Sequence, residues 1–103
     1  MKTTRHDQIR KRIERIKAEL VAIDEMRPGS LTEQLKKPDA QRGYYQLSYT
    51  HGGKSRTEHV PRHCVREVRL QIVNYKRFKA LIAEWIDLSI EQCRLQTQSG
   101  SEN

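Results

Sequence analysis

The stretch Gly43-Tyr-Tyr-Gln-Leu-Ser-Tyr-Thr-His-Gly-Gly-Lys-Ser-Arg-Thr-Glu-His-Val-Pro61 reads as a single β-hairpin over 43–60. Tyr45, Leu47 and Tyr49 alternate onto one face, and Tyr44, Gln46 and Ser48 onto the other. His51-Gly52-Gly53-Lys54 supplies the turn, because adjacent glycines accept the positive φ angles of a type I′ connection. Residues 54–60 return as a second strand rich in Ser, Thr, Arg and Val. A lone two-stranded hairpin is marginal in water. It must therefore lie on a helix or pair with a hairpin of another copy.

Both flanks of the hairpin read as helical. Upstream, Ile9, Ile13, Ile16, Leu20 and Ile23 step by four, three, four and three, which is a coiled-coil seam on a helix over 5–26. Arg27-Pro28-Gly29 stops it. Ser30-Leu-Thr-Glu33 matches a capping box and predicts a short helix over 31–36. Lys36 to Arg42 is a polar loop. Downstream, Pro61 opens a helix over 62–96, roughly 50 Å long at about 1.5 Å per residue. One apolar stripe runs through Val65, Val68, Ile72 and Tyr75 to Ile82 and Ile86. A second holds Phe78, Leu81, Trp85, Leu88 and Leu95. Residues 99–103 read as a frayed tail, so 1–98 form one domain of α+β class and mostly helical content. The two main helices are expected to pack antiparallel in coiled-coil fashion. The second stripe exceeds what the shorter helix covers, so the hairpin, a further chain, or both must take it. A homo-oligomer is the expected state.

Composition narrows the function. Hydrophobic residues make up 35% of the 103 and charged residues 32%, which suits amphipathic helices with one buried stripe. The net charge is +7, and it is uneven. Residues 1–35 hold eight Lys/Arg against six Asp/Glu, residues 36–79 eleven against three, and residues 80–103 one against four. The basic excess therefore sits on the hairpin and on the first half of the long helix, and it favours a polyanion as partner. Cys64 and Cys93 form no CxxC pair, and no secretory leader is evident, so a reduced, cytoplasmic protein is expected. No run approaches the roughly 18 apolar residues of a membrane span. The first helix lacks the aromatic anchors of an interfacial helix, so no membrane partner is expected.

The candidate binding set follows from the charge. Lys54 and Arg56 lie on the second strand, while Arg62, Arg66 and Arg69 share a helical face by their spacing of four and three. Such residues hold phosphates. A two-stranded ribbon can enter a major groove, which puts DNA ahead of RNA, with Tyr44, Gln46 and Tyr49 available to the bases. The packing set comprises Ile9, Ile13, Ile16, Leu20 and Ile23 with Val68, Ile72, Phe78, Leu81, Trp85 and Leu88. His59-Val-Pro-Arg-His63-Cys64 gathers two imidazoles and a thiol, but zinc needs three or four ligands and Pro61 separates the histidines, so no metal or cofactor is expected. Glu84, Asp87 and Glu91 cluster on the late helix, yet acid–base work needs a concave pocket, and they read as a solvated acidic face. No enzyme is expected.

The order Gly29-Ser30-Leu31, Gly43-Tyr44-Tyr45-x-Leu47-Ser48-Tyr49, Gly52-Gly53-Lys54-x-Arg56-Thr57, Val60-Pro61 and Asn74-Tyr75-x-Arg77-Phe78 resembles a family of small uncharacterised bacterial and archaeal proteins often encoded near transposases. Many of its members carry a cysteine-rich knuckle between the first two motifs. Here Lys36-Lys37-Pro38-Asp39-Ala40-Gln41-Arg42 stands instead, without a cysteine. The resemblance implies mobile-element biology and hence a nucleic-acid partner, and it implies no reaction. In shape, the hairpin is similar to the basic sheets of small DNA-binding domains in integrases. The rival expectation is an assembly subunit whose apolar stripes bind a co-encoded partner protein.

Overall fold

The computed structural model describes residues 4–34 and 43–101. The chain is α+β: helix α1 (Arg5–Ala22), strands β1 (Ser30–Gln34), β2 (Tyr44–His51) and β3 (Lys54–Val60), a 3-10 turn at Arg62–Cys64, and helix α2 (Val65–Ser101). Its contacts divide it into two compact units, Met1–Ile23 with Arg77–Asn103, and Asp24–Lys76.

The first unit is a helix pair. Thr4 caps α1, its Oγ1 accepting from the Asp7 backbone N–H at 3.1 Å. Ile9, Ile13 and Ile16 are buried together with Leu81 of α2, while Leu20, Ile23, Phe78, Trp85 and Leu88 are half-buried. Three ion pairs bind the helices: Arg5 with Glu91, Arg12 with Glu84, and Arg77 with Glu19. Their partners step by seven up α1 and by seven down α2. That is the signature of an antiparallel heptad seam. The first two pairs are bidentate, with Nε to carboxylate at 2.6 Å in both. Glu84 and Glu91, expected with Asp87 to form a solvated acidic face, supply two of the three acids of this ladder. Lys17 Nζ adds a cation–π contact 5.5 Å from the Trp85 ring centre.

The Glu84 carboxyl is held below its usual range, first by the hydrogen bonds from Arg12, and that of Glu91 likewise by Arg5. A carboxyl depressed in the folded state adds stability above its unfolded value and loses it as pH falls through the folded one. The ladder is thus at full strength above about pH 4.3 and weakens below it. Melting curves between about pH 7 and pH 3 are expected to show Tm falling through the acidic end of that window. A Glu84→Gln/Glu91→Gln variant should melt lower at neutral pH and decline less steeply. The partners are solvent-facing, so the effect is modest.

The second unit is a three-stranded antiparallel sheet, in the order β1-β2-β3, against the first turns of α2. Gly52 and Gly53 have φ of 60° and 78°, so the two-residue turn between His51 and Lys54 is the one expected of the Gly-Gly pair. Leu47, Val60, Val68 and Ile72 form the core, with Leu31, Tyr45, Tyr49, Cys64 and Val65 packed around them. Val68 and Ile72, expected in the helix–helix packing set, therefore pack under the sheet.

Three boundaries differ from those the sequence suggests. Residues 30–34 form a strand instead of the short helix expected over 31–36. A single helical turn pays the nucleation cost for almost no hydrogen bonds. The same residues, laid on the open edge of β2, satisfy a ladder from Ser30↔Ser48 to Gln34↔Tyr44 and set Leu31 opposite Leu47. The remainder of that expected helix and the loop to Arg42 lie outside the described residues. Helix α1 ends at Ala22, not at residue 26. The chain beyond is extended and its backbone is claimed by α2: Asn74 Nδ2 donates to the Glu25 carbonyl at 2.9 Å and the Arg27 N–H donates to the Gln71 carbonyl at 3.2 Å. Helix α2 begins at Val65 after the 3-10 turn and runs to Ser101, so the expected break at 96 and the frayed tail from 99 are replaced by continuing helix up to that point.

Candidate nucleic-acid interface

The register assigns every sheet residue to a face, since paired residues in an antiparallel ladder point the same way. Leu31, Glu33, Tyr45, Leu47, Tyr49, His51, Lys54, Arg56, Glu58 and Val60 share the core side. The opposite face carries Ser30, Thr32, Gln34, Tyr44, Gln46, Ser48, Thr50, Ser55, Thr57 and His59. That outer face holds hydroxyls, amides and rings, without a formal charge. Tyr44 and His59 lean together there, ring centres 6.3 Å apart and tilted by 32°.

The expected binding set is consequently divided. Tyr44 and Gln46 stand on the neutral outer face. Tyr49, Lys54 and Arg56 are on the core side, the two cations exposed toward the hairpin tip. The Tyr49 hydroxyl donates to Glu58 Oε1 at 3.1 Å, and Glu58 also faces Arg27 at 4.0 Å. Arg62 is engaged as well. Its Nη2 donates to the Gly43 carbonyl at 2.9 Å and lies 3.8 Å from Glu33. Its guanidinium sits 5.5 Å from the Tyr45 ring centre, and that of Arg69 sits 6.0 Å from the same ring. Arg66, by contrast, lines a shallow groove on α2 with His63, Leu70 and Val73.

Tyr45 is the residue that sequence reasoning missed. Two guanidiniums converge on its ring and its hydroxyl donates to Glu33 Oε2 at 3.4 Å. Arg62 stands in the 3-10 turn and Arg69 on α2, so their spacing of seven residues in the sequence was only a partial signal. Arg62 acts here as a clamp between the β1 edge and α2. Among the described residues, Lys54, Arg56, Arg66 and Lys76 make no hydrogen bond, ion pair or ring contact. Within the basic stretch, these four are the described cations left to meet an external charge; Lys11, Arg15 and Arg94, outside it, are likewise unpartnered.

His59 lies exposed on the outer face, His63 is exposed in the 3-10 turn, and Cys64 is turned partly into the core. Among the described residues no group of three His, Cys, Asp or Glu side chains is placed to hold a metal ion. No helix among them is long and apolar enough to cross a membrane. No family model, curated protein or solved structure matches the chain.

Proposed function

We propose that the chain is a non-enzymatic nucleic-acid-binding accessory protein that grips the phosphate backbone, with DNA ahead of RNA, in the service of a mobile genetic element. The observation that carries this reading is the charge of residues 36–79, eleven Lys/Arg against three Asp/Glu, together with four described cations of that stretch that have no internal partner. Unpaired surface cations bind phosphates by releasing condensed counterions. The neutral face of Tyr44, Gln46, Ser48 and Thr57 offers hydrogen-bond donors, acceptors and a stacking ring. The mobile-element assignment is supported by the family resemblance in the Gly-Ser-Leu, Tyr-Tyr and Gly-Gly-Lys motifs.

With about four phosphates neutralised, affinity for a labelled duplex should fall about 100-fold between 50 and 200 mM salt, measured by fluorescence anisotropy. The Lys54→Ala/Arg56→Ala/Arg66→Ala variant removes only exposed, unpartnered side chains. It is expected to fold normally and to flatten the salt slope by about three-quarters. Failure of the unaltered protein to bind either DNA or RNA at 50 mM salt overturns the proposal. A second reading, an assembly subunit for a co-encoded protein, is favoured by the exposure of Leu70 (61%) and Val73 (58%) on α2. It predicts a stable protein complex and no anisotropy change.

A further inference from the structure

Helix α2 carries a second apolar stripe that α1 does not cover. Ile82, Ile86, Ile90, Cys93 and Thr97 step by four, four, three and four, and with Trp85 and Ser89 they line an open groove along the helix. Ile86 is 54% exposed and Ile90 47%. Two β-branched apolar side chains one turn apart in water form a patch rather than the scattered apolar residues normal on a surface.

Four positions of the stripe are placed symmetrically about its middle. Ile82 and Thr97 lie equally far from the point between Ser89 and Ile90, and so do Ile86 and Cys93. Asp87 and Arg94 stand seven residues apart along one edge of the stripe. Neither makes an ion pair or hydrogen bond among the described residues, although the acids Glu84 and Glu91 on the same helix are both engaged. A stripe whose positions match in reverse, with an acid and a base a heptad apart on one edge, can meet itself antiparallel with each acid beside a base.

We propose that this face binds a second copy of the chain, with the two α2 helices antiparallel and a two-fold axis passing near Ser89 and Ile90. Ile86 of each copy packs against Cys93 of the other, and Ile82 against Thr97. Asp87 of each copy pairs with Arg94 of the other, so the contact closes with both ion pairs made. A parallel copy would bring opposite edges of the stripe together, so Asp87 and Arg94, which share one edge, would not meet. A duplex presents its charged phosphates outward, which suits neither the isoleucines nor Asp87. The contact is independent of the nucleic-acid reading and uses none of Lys54, Arg56 or Arg66. Its seam spans about 22 Å from Ile82 to Thr97. That places it at the small end of specific interfaces and makes association concentration-dependent.

Sedimentation equilibrium at about 100 µM is expected to give the mass of two 12.2 kDa chains, falling toward one on dilution. Ile86→Lys is expected to leave the protein monomeric throughout, with an unchanged circular dichroism spectrum because the side chain is exposed. Register is read by cross-linking in a Cys64→Ser/Cys93→Ser background. Ile90→Cys should form a disulfide-linked dimer under mild oxidation. Ile82→Cys should not, unless mixed with Thr97→Cys. A monomer at every concentration overturns the proposal, as does an Ile86→Lys variant that still dimerises. Self-linking of Ile82→Cys as fast as Ile90→Cys overturns it in favour of a parallel pair. A monomer that sediments with anionic vesicles assigns the stripe to a bilayer and overturns it too.

Discussion

Leu47→Ala is expected to lower the unfolding free energy of the sheet unit by about 3 kcal/mol. Leu47 is 1% exposed at the centre of β2. It pairs laterally with Leu31 and Glu58 and packs in one cluster with Val60, Val68 and Ile72. Removing three carbons there loses their transfer free energy and leaves a cavity that sheet and helix cannot both move to fill. A unit with four buried apolar residues among those described has little reserve against such a loss. Hydrogen exchange should show the amides of β2 and β3 losing most of their protection. Leu70→Ala, on an exposed position of the same helix, should change stability by no more than about 0.5 kcal/mol. Equal losses from the two substitutions would mean that Leu47 is not the centre of this core.

Ile16→Ala should cost the helix pair a comparable amount, about 2–4 kcal/mol. Ile16 is fully buried and lies between the Arg12–Glu84 and Glu19–Arg77 bridges along α1. Those bridges are solvent-facing and set direction and register more than they stabilise. The apolar seam carries the stability, so its loss is not made good by the charges around it. Far-ultraviolet circular dichroism during denaturant unfolding is the measurement. Val21→Ala, at an exposed position five residues on, serves as the near-neutral control. A midpoint for Ile16→Ala indistinguishable from that of Val21→Ala would contradict the assignment of the seam.

Much of this was legible in the chain because it depends on short-range periodicity. The Ile9–Ile13–Ile16–Leu20 rhythm can only bury one face of a helix, and that face is the buried one. Alternation around Leu47 with Gly52-Gly53 beyond it admits a hairpin with one register, and the register is found. The polar identity of the outer face also follows from the alternation, once the core side is known. The division of the binding set between two faces could have been read the same way: Tyr44 and Gln46 have the opposite parity to Tyr49 in the strand.

The rest was decided by partners far away in sequence. Ser30-Leu-Thr-Glu33 carries a helix-start signal of about 1 kcal/mol, which a five-residue ladder on β2 outweighs. The end of α1 at Ala22 depends on Gln71 and Asn74, nearly fifty residues on, taking the backbone of Glu25 and Arg27. Which arginines are free is likewise a tertiary outcome. Arg62 and Arg66 look alike in the chain, but Glu33 and the Gly43 carbonyl occupy the first and leave the second in solvent. Local pattern thus determined that there would be two amphipathic helices and a glycine-turned hairpin carrying the basic excess. Only the fold decided where α1 stops, that residues 30–34 become a third strand, and which charges remain unpaired, because each of these is settled by hydrogen bonds and ion pairs between residues that the sequence holds far apart.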